Sequence, residues 1–262
     1  MRLPEALALG VLHGPAELLP ISSSGHTALI PWLARWEYAE LDPELRKAFE
    51  IALHAGTAAA LLVALRDEVA EAAGGFDRRR LELVAGSFIV PAIVGLALER
   101  PIERGLGGPR SIAAGLLVGS LAMVAADRDR GSRAPRTRDD ATLIDALALG
   151  VAQACALVPG VSRNGATLAA ARARGFGRHD ASVLSRHVAL PIIAGATLLK
   201  TVRLARRGLP REERAAFAAG TAAAFVSTLA SVRLVRDGRP LWPFAAYRTA
   251  LAGVVLWEHG RR

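Results

Sequence analysis

Two short segments of this 262-residue chain carry chemically reactive side chains within otherwise apolar sequence. The first segment, residues 17–26, contains Glu17, three consecutive serines and His26. A serine two to four residues before a histidine, across a flexible turn at Gly25, can bring its hydroxyl within hydrogen-bond distance of the imidazole. That is the pairing of a nucleophile with a general base, and Glu17 would orient the base. A helix N-cap explains any one of these serines equally well.

The second segment, residues 158–165, has the composition of an anion-binding loop. Arg163 stands between Gly160 and Gly165, and glycines let backbone N–H groups approach an anion closely. The arginine offers a planar fork for phosphate oxygens, and a helix that begins near Thr167 would add the positive end of its dipole. The segment therefore predicts a phosphate cradle, although an arginine that reaches to the membrane interface has the same sequence signature. The cradle comprises Gly160, Ser162, Arg163, Asn164, Gly165 and Thr167.

Four further ionisable residues occur in two pairs with helical spacing. His13 lies four residues before Glu17, and Glu50 lies four residues before His54, so each pair faces one side of a helix. His13 is interpreted as a metal ligand, a proton relay, or a core histidine bonded to backbone. Glu50 and His54 are interpreted as part of a metal or diphosphate site, with a membrane-interface position for Glu50 as the alternative.

The distribution of charge along the chain indicates which helices position these residues. Hydrophobic residues make up 52% of the chain and charged residues 22%, and the two kinds are separated along it. Several uncharged runs approach the roughly 17–25 residues that cross a bilayer, and short charged stretches join them. A soluble, alanine-rich helical bundle would instead show a charge every three or four positions, which residues 84–97 and 215–231 do not. The sequence therefore predicts an all-α integral membrane protein.

The excess of basic residues has a simple explanation in such a protein. The net charge of +9 comes mainly from arginines, which suit loops that face anionic lipid headgroups. A nucleic-acid-binding face would interleave basic and aromatic residues, and aromatic residues are only 5% of the chain. Nucleic acid is therefore not expected as a partner.

The chain also repeats itself. Residues 6–11 recur letter for letter at 146–151, and at the same offset of 140 residues serine, glycine and threonine positions of the two polar segments coincide. Each half begins with an apolar stretch that a polar segment interrupts, and three predicted membrane spans follow. Because each half crosses the membrane an odd number of times, the second half has the opposite orientation in the membrane to the first. The predicted plan is about six transmembrane helices plus two re-entrant helix–loop–helix hairpins. The first repeat is residues 1–126, with its hairpin at about 5–33 and its spans near 50–65, 82–99 and 111–126. A charged linker follows at residues 127–141. The second repeat is residues 142–262, with its hairpin at about 143–173 and its spans near 186–202, 214–234 and 241–257.

The polar segments resemble the signatures of one enzyme family. Residues 17–26, ELLPISSSGH, are similar to the E-F-L-P-[IV]-S-S-[TS]-G-H signature of the undecaprenyl-diphosphate phosphatases of the bacitracin-resistance type. Residues 159–167, PGVSRNGAT, resemble that family's second signature, P-G-x-S-R-S-G-x-T, and residues 49–57 resemble a third segment between them. The resemblance covers the whole chain, in order.

The resemblance implies a membrane enzyme that removes the terminal phosphate of undecaprenyl diphosphate, with Mg²⁺ or Ca²⁺ as cofactor. It implies that Ser23 is the nucleophile, that His26 is the acid/base or orienting group, and that Glu17 and Arg163 are essential or bind substrate. The implied location is the bacterial inner membrane, and the expected partners are the polyprenyl diphosphate lipid, the surrounding membrane lipids and, in a homodimer, a second copy of the chain. The substrate-binding set is completed by Ser22, Ser24, Gly25, Gly160, Ser162, Asn164, Gly165 and Thr167.

The chain departs from the family pattern at three places. His13 stands where a first signature glutamate is usual, Asn164 stands where serine is usual, and Arg186 with His187 replaces apolar residues of a later segment. Losing a carboxylate weakens the case for Mg²⁺ or Ca²⁺, and a histidine favours a softer metal or none. A polyprenyl-phosphate carrier and an inactive lipid-binding homologue are the alternatives to a phosphatase.

Overall fold

The computed structural model describes residues 1–66, 78–128, 134–208, 210–235 and 237–262. Within these ranges the chain is helical, and its one β-bridge pairs Arg136 with Phe176. The all-α prediction is confirmed. The helices are α1 (Leu3–Leu18), α2 (Ser23–Ala34), α3 (Pro43–Ala64), α4 (Arg78–Leu106), α5 (Pro109–Ala126), α6 (Leu143–Cys155), α7 (Arg163–Ala173), α8 (Arg178–Arg207), α9 (Arg214–Leu234) and α10 (Trp242–Arg261), with short 3₁₀ turns at Glu37–Glu40, Arg138–Asp140 and Arg211–Glu213.

Local signals explain where several of these helices begin. Asp42 precedes the proline that opens α3, and its carboxylate accepts hydrogen bonds from the amides of Glu44 and Leu45. Thr142 and Asp145 form a capping box at the start of α6, in which each side chain binds the backbone of the other. These caps satisfy amide groups that have no partner inside the helix.

The helices divide into two compact contact units. The first unit comprises Met1–Leu18, His26–Gly75 and Ile192–Val235, as far as these ranges are described. In it α9 packs against α1 and α3. Gly10 permits this close approach, because a Cβ at that position would lie 2.3 Å from the carbonyl oxygen of Gly220. Small residues at helix contacts are the usual device for bringing helices together in lipid. The core of this unit contains Ala6, Leu9, Tyr38, Phe49, Leu53, Ala216, Phe217 and Ala224.

The second unit comprises Leu19–Gly25, Phe76–Pro191 and Arg236–Arg262, again as far as described. In it α5 packs against α10, α4 against α6, and α7 against both α5 and α6. The Asp127 carboxylate accepts hydrogen bonds from Arg172, Arg178 and the amide of Leu241, and so joins the end of α5 to the starts of α8 and α10. The core of this unit contains Met123, Ala126, Ala141, Leu149, Leu168, Ala169, Ala171, Phe176, Ala181, Leu184, Val188, Leu241 and Ala245.

Apolar side chains cover much of the outer surface of these helices. Four helical stretches are long and apolar enough to cross a bilayer: Pro43–Ala64, Leu81–Leu98, Pro109–Ala126 and Arg211–Arg233. Leu96 is 85% exposed and Leu121 is 71% exposed, and water would penalise such faces while lipid would not. The chain is therefore a membrane protein, and the soluble-bundle alternative is wrong.

The predicted spans near 50–65, 82–99, 111–126 and 214–234 fall on these four stretches. The predicted spans near 186–202 and 241–257 fall on α8 and α10, which are not among the four stretches. That α8 and α10 cross the membrane stays a prediction. The helix pairs α1–α2 and α6–α7 occur where re-entrant hairpins are expected. The repeat boundaries and the re-entrant arrangement also stay predictions, and residues 129–133 of the predicted linker lie outside the described residues.

Candidate active site

The first polar segment contains a sharp break between α1 and α2. Ser22 has a left-handed backbone with φ of 79°, and its Oγ accepts a hydrogen bond from the amide of Gly25 at 3.3 Å. Ser22 is therefore the serine that caps the helix, and α2 begins at Ser23. The expectation of a flexible turn at Gly25 is wrong, because Gly25 lies inside the first turn of α2.

The second polar segment breaks in the same way between α6 and α7. Ser162 has φ of 73°, and its Oγ accepts a hydrogen bond from the amide of Gly165 at 3.2 Å. The helix that follows begins at Arg163, so the expectation of a helix start near Thr167 is wrong by one turn. The Thr167 hydroxyl instead donates to the carbonyl oxygen of Arg163 at 2.9 Å, inside α7.

The caps at Ser22 and Ser162 are therefore equivalent at the sequence offset of 140 residues. A non-glycine residue with positive φ costs of the order of 1–3 kcal/mol and persists where its surroundings enforce it. Each cap is followed by the first turn of a helix, α2 or α7, where backbone N–H groups have no partner inside the helix. Such a helix N-terminus binds anions. Ser23 and Arg163 occupy the same position, immediately after the cap.

Arg248 of α10 ties these two loops together. It is fully buried, and its Nη1 donates to the carbonyl oxygen of Pro20 in the first loop at 3.1 Å. Its Nη2 lies 2.8 Å from the carbonyl oxygen of Gly160 and 2.9 Å from that of Val161 in the second loop. A planar guanidinium can hold acceptors in several directions at once, which an ammonium group does less well. One side chain therefore sets the spacing of the two loops.

The surroundings of Arg248 are built to admit a guanidinium. A Cβ at Gly119 of α5 would lie 2.3 Å from Nη2, so only glycine fits there. The carbonyl oxygens of Gly115 and Leu116 in the same helix also lie within 3.4 Å and 3.2 Å of Nη2. Sequence reasoning missed this residue, although an arginine inside the predicted span at 241–257 carries the signal that marks functional charges in membranes.

Two of the departures from the family signatures, at Asn164 and Arg186, have partners in the second unit. The Asn164 Oδ1 accepts a hydrogen bond from the Ser185 hydroxyl at 3.0 Å, and that hydroxyl lies 2.5 Å from the Thr167 hydroxyl. Asn164 is thus held by the later family segment. Arg186, basic where an apolar residue is usual, forms a two-pronged ion pair with Asp237.

A separate group of ligand-type side chains lies in the first unit. His13, Glu17 and His54 each offer a nitrogen or oxygen atom, and these atoms lie within 4.8 Å of one another. The rings of His13 and His54 meet edge to face with centroids 4.5 Å apart, and His54 Nδ1 lies 4.0 Å from Glu17 Oε2. We call these three residues the triad. Glu50 lies one turn before His54 on α3, and its inclusion as a ligand stays a prediction.

Two threonines hold the deepest member of the triad. His13 Nδ1 lies 2.9 Å from the Thr57 hydroxyl, which lies 3.2 Å from the Thr228 hydroxyl. Thr228 Oγ1 is also 2.7 Å from the carbonyl oxygen of Ala224. The Thr228 hydroxyl is the donor in both of its contacts, to the Ala224 carbonyl oxygen and to Thr57 Oγ1, so Thr57 accepts a hydrogen bond from Thr228. In the tautomer of His13 that donates from Nδ1 to Thr57, the ring nitrogen Nε2 carries the lone pair.

The donor set of the triad does not fit the cation that the resemblance implies. Mg²⁺ and Ca²⁺ take oxygen ligands almost entirely, and the triad offers two imidazoles and one carboxylate. The triad is therefore a candidate site for a metal ion that prefers nitrogen ligands.

Comparison with known proteins shows the family of the chain. Residues 6–254 match the family described as Bacitracin resistance protein BacA. The chain belongs to the BacA family. An undecaprenyl-diphosphatase of Geobacter sulfurreducens is 38% identical, and the alignment covers 98% of each chain. An undecaprenyl-diphosphatase of Thermomicrobium roseum is 36% identical, again over 98% of each chain.

The predicted BacA site residues thus fall into two described groups. Ser22–Ser24 and the cradle around Arg163 belong to the loops that Arg248 joins. His13, Glu17 and His54 form the triad. Ser23 and the fully buried His26 are three residues apart on α2, which places them on one helix face.

Proposed function

We propose that the chain hydrolyses undecaprenyl diphosphate to undecaprenyl phosphate and inorganic phosphate in the bacterial inner membrane. The observation that carries this proposal is the pair of capped loops that bear the two BacA signatures, one with Ser23 and the other with Arg163. Relatives that match over nearly the whole chain are undecaprenyl-diphosphatases. A homodimer is compatible with the proposal and is not required by it.

The two loops divide the work between binding and bond cleavage. Arg163 and the first amides of α7 would bind phosphate oxygens, since a guanidinium and a helix N-terminus both favour anions. Asn164, held by Ser185, would add an amide donor beside them. This arrangement stabilises charge that grows on the phosphate oxygens as the bond breaks.

Ser23 would supply the nucleophile. Its Oγ attacks the terminal phosphorus, the bond from that phosphorus to the bridging oxygen breaks, and undecaprenyl phosphate leaves with the bridging oxygen. His26 accepts the serine proton, and Glu17 stabilises the imidazolium. The imidazolium passes that proton to the departing undecaprenyl phosphate, which restores the neutral base. A water molecule then attacks the phosphorus of the phosphoserine and gives one proton to His26. The bond from phosphorus to Oγ breaks, His26 returns the proton to Oγ, and inorganic phosphate and free Ser23 result.

The test is phosphate release from undecaprenyl or farnesyl diphosphate by the detergent-purified protein. We expect the wild type to release phosphate and Ser23→Ala to lose at least about 10³-fold in kcat, because removing a nucleophile removes the step itself. Ser182→Ala is the matched control, since it loses the same atom from α8, outside both loops, where the hydroxyl donates to the Arg178 carbonyl oxygen. Substrate binding by Ser23→Ala should persist, because Arg163 remains.

Three outcomes would contradict the proposal or part of it. Normal turnover by Ser23→Ala would exclude Ser23 as nucleophile and leave a direct attack by water. Loss of binding in Arg163→Ala without loss of turnover at saturation would confine Arg163 to recognition. Lipid binding without phosphate release by the wild type would favour a carrier or an inactive homologue.

A further inference from the structure

We infer that the triad of His13, Glu17 and His54 binds a borderline transition-metal ion, with Zn²⁺ as its preferred occupant, in place of the Mg²⁺ or Ca²⁺ expected of a family with a glutamate at position 13. Only a role of such an ion in the reaction rests on the proposed function. The binding of the ion follows from the three side chains alone.

The ligand chemistry decides the class of ion. Imidazole nitrogens suit zinc and its neighbours in the first transition series, while carboxylate and carbonyl oxygens suit magnesium and calcium. A set of two histidines and one glutamate leaves at least one coordination position open, as in catalytic zinc sites. Replacing the family glutamate by His13 changes the majority of the donor atoms from oxygen to nitrogen.

The hydrogen bonds around His13 prepare it as a ligand. Metal-bound histidines usually donate their other ring nitrogen to a fixed acceptor, which sets both the tautomer and the ring orientation. The His13–Thr57–Thr228 chain, which ends on the Ala224 carbonyl, provides that acceptor at 2.9 Å. A core histidine that serves only for packing would not need a second imidazole and a carboxylate beside it, with ligand-type atoms of all three side chains within 4.8 Å of one another.

Exposure around the triad is graded. His13 is 1% exposed and the side chain of Glu17 is 8% exposed, while that of His54 is 37% exposed. An ion held by the two buried groups would therefore be reached from the side of His54. One carboxylate against a divalent ion leaves a net positive charge, which would attract an anionic ligand such as a phosphate.

The experiment measures metal binding directly on the full-length protein in detergent. The chelator-treated protein is dialysed against Zn²⁺ alone, Mg²⁺ alone, Ca²⁺ alone, and Zn²⁺ with excess Mg²⁺, and bound metal is counted by mass spectrometry. We expect about one Zn²⁺ per chain that millimolar Mg²⁺ does not displace, and a preference over Mg²⁺ of at least roughly 100-fold. X-ray absorption at the zinc edge should report two imidazole ligands.

Variants separate the triad from adventitious zinc. His13→Glu should reduce the preference for Zn²⁺ over Mg²⁺ by about tenfold or more and leave one imidazole at the zinc edge. His54→Gln should have a similar effect on zinc retention. His179→Ala, which removes an exposed histidine of the second unit, is the matched control and should keep the full zinc content.

The threonine chain offers a second, milder test. Thr228→Val should weaken zinc binding by about 10- to 100-fold, since it breaks the support of a ligand without removing one. Thr221→Val is its control, because Thr221 lies two turns earlier on α9 and donates only within its own helix in the described contacts. Thermal unfolding in the absence of metal checks that each variant is folded.

Two results would overturn the inference. One is zinc content that is unchanged in both His13→Glu and His54→Gln, which would mean that the metal binds elsewhere. The other is wild-type protein that retains no Zn²⁺, or that binds Mg²⁺ as tightly. Phosphate release measured in parallel keeps the two proposals distinct, because zinc binding without turnover would refute only the phosphatase.

Discussion

The two capped loops share a backbone feature but carry different side chains. Ser22 and Ser162 both have a positive φ, and the Oγ of each accepts a hydrogen bond from the amide three residues later. The next position holds the proposed nucleophile, Ser23, in one loop and a cation, Arg163, in the other. Both loops thus present helical N–H groups in the same way, while the side chain that follows the cap differs. A phosphate needs both kinds of group.

The same contrast appears at the start of the preceding helices. Glu5 and Asp145 lie at the offset of 140 residues, and both are buried acids in a first helical turn. Glu5 accepts hydrogen bonds from the backbone amides of Glu37 and Tyr38. Asp145 accepts them from the guanidinium groups of Arg136 and Arg174. Both α1 and α6 are therefore anchored through an acid in their first turn, but to a different kind of donor.

The largest effect in this comparison should come from Arg248, which serves both loops. Arg248→Lys keeps the charge but loses the planar fork, so buried carbonyls are left unpaired at roughly 1–3 kcal/mol each. We expect a marked fall in Tm and a fall in kcat of at least about tenfold, since a displacement of the order of 1 Å at a reacting group costs about 100-fold. Differential scanning fluorimetry and phosphate release check this.

Arg2→Lys is the matched control, because Arg2 forms an exposed pair with Glu37. A normal kcat in folded Arg248→Lys would show that the loops keep their geometry without the fork, and Arg248 would then be a packing residue only.

A smaller effect should distinguish the two buried acids. Burial opposes ionisation of Asp145, but hydrogen bonds from Arg136, Arg174 and Thr142 outweigh it and hold the pKa of this carboxyl well below its usual range. A lowered pKa means that the carboxylate stabilises the fold above the unfolded pKa of about 3.9 and that this stabilisation is lost as the pH falls below it.

We therefore expect Asp145→Asn to lower Tm at pH 7, and the difference in Tm from the wild type to begin to narrow as the pH falls below about 3.9. Glu5→Gln should lower Tm less, because an amide oxygen can still accept from a backbone N–H. Thermal unfolding between pH 7 and pH 3 tests both variants. A gap that stays constant with pH would mean that the Asp145 charge does not contribute.

The smallest effect concerns the caps themselves. Ser22→Ala and Ser162→Ala should each cost about 1 kcal/mol, the usual value for a lost N-cap. Glycine should be better tolerated than alanine at both positions, because it adopts positive φ without strain. Equal differences between alanine and glycine in the two loops would show that the caps are energetically equivalent. Unequal differences in Tm would show that one loop is held by contacts that the other lacks.

Much of this could be predicted before the structure. Runs of apolar residues have a length set by the bilayer, so the all-helical membrane fold and the approximate positions of its helices follow from composition along the chain. The two polar breaks were visible for the same reason, because Pro, Gly and Ser stand out within such runs. The two errors, a turn at Gly25 and a helix start near Thr167, concern single helical turns, where local signals are weakest.

The residue types and their order alone determined that this is a BacA-family membrane protein with a serine–histidine segment and an arginine cradle. Only the tertiary structure decided that Ser22 is a cap, that Arg248 joins the two loops, and that His54 completes the triad with His13 and Glu17. The reason is distance along the chain. Arg248 and the Pro20 carbonyl are separated by 228 residues, and no periodicity or local preference relates positions so far apart. Packing of whole helices brings them together.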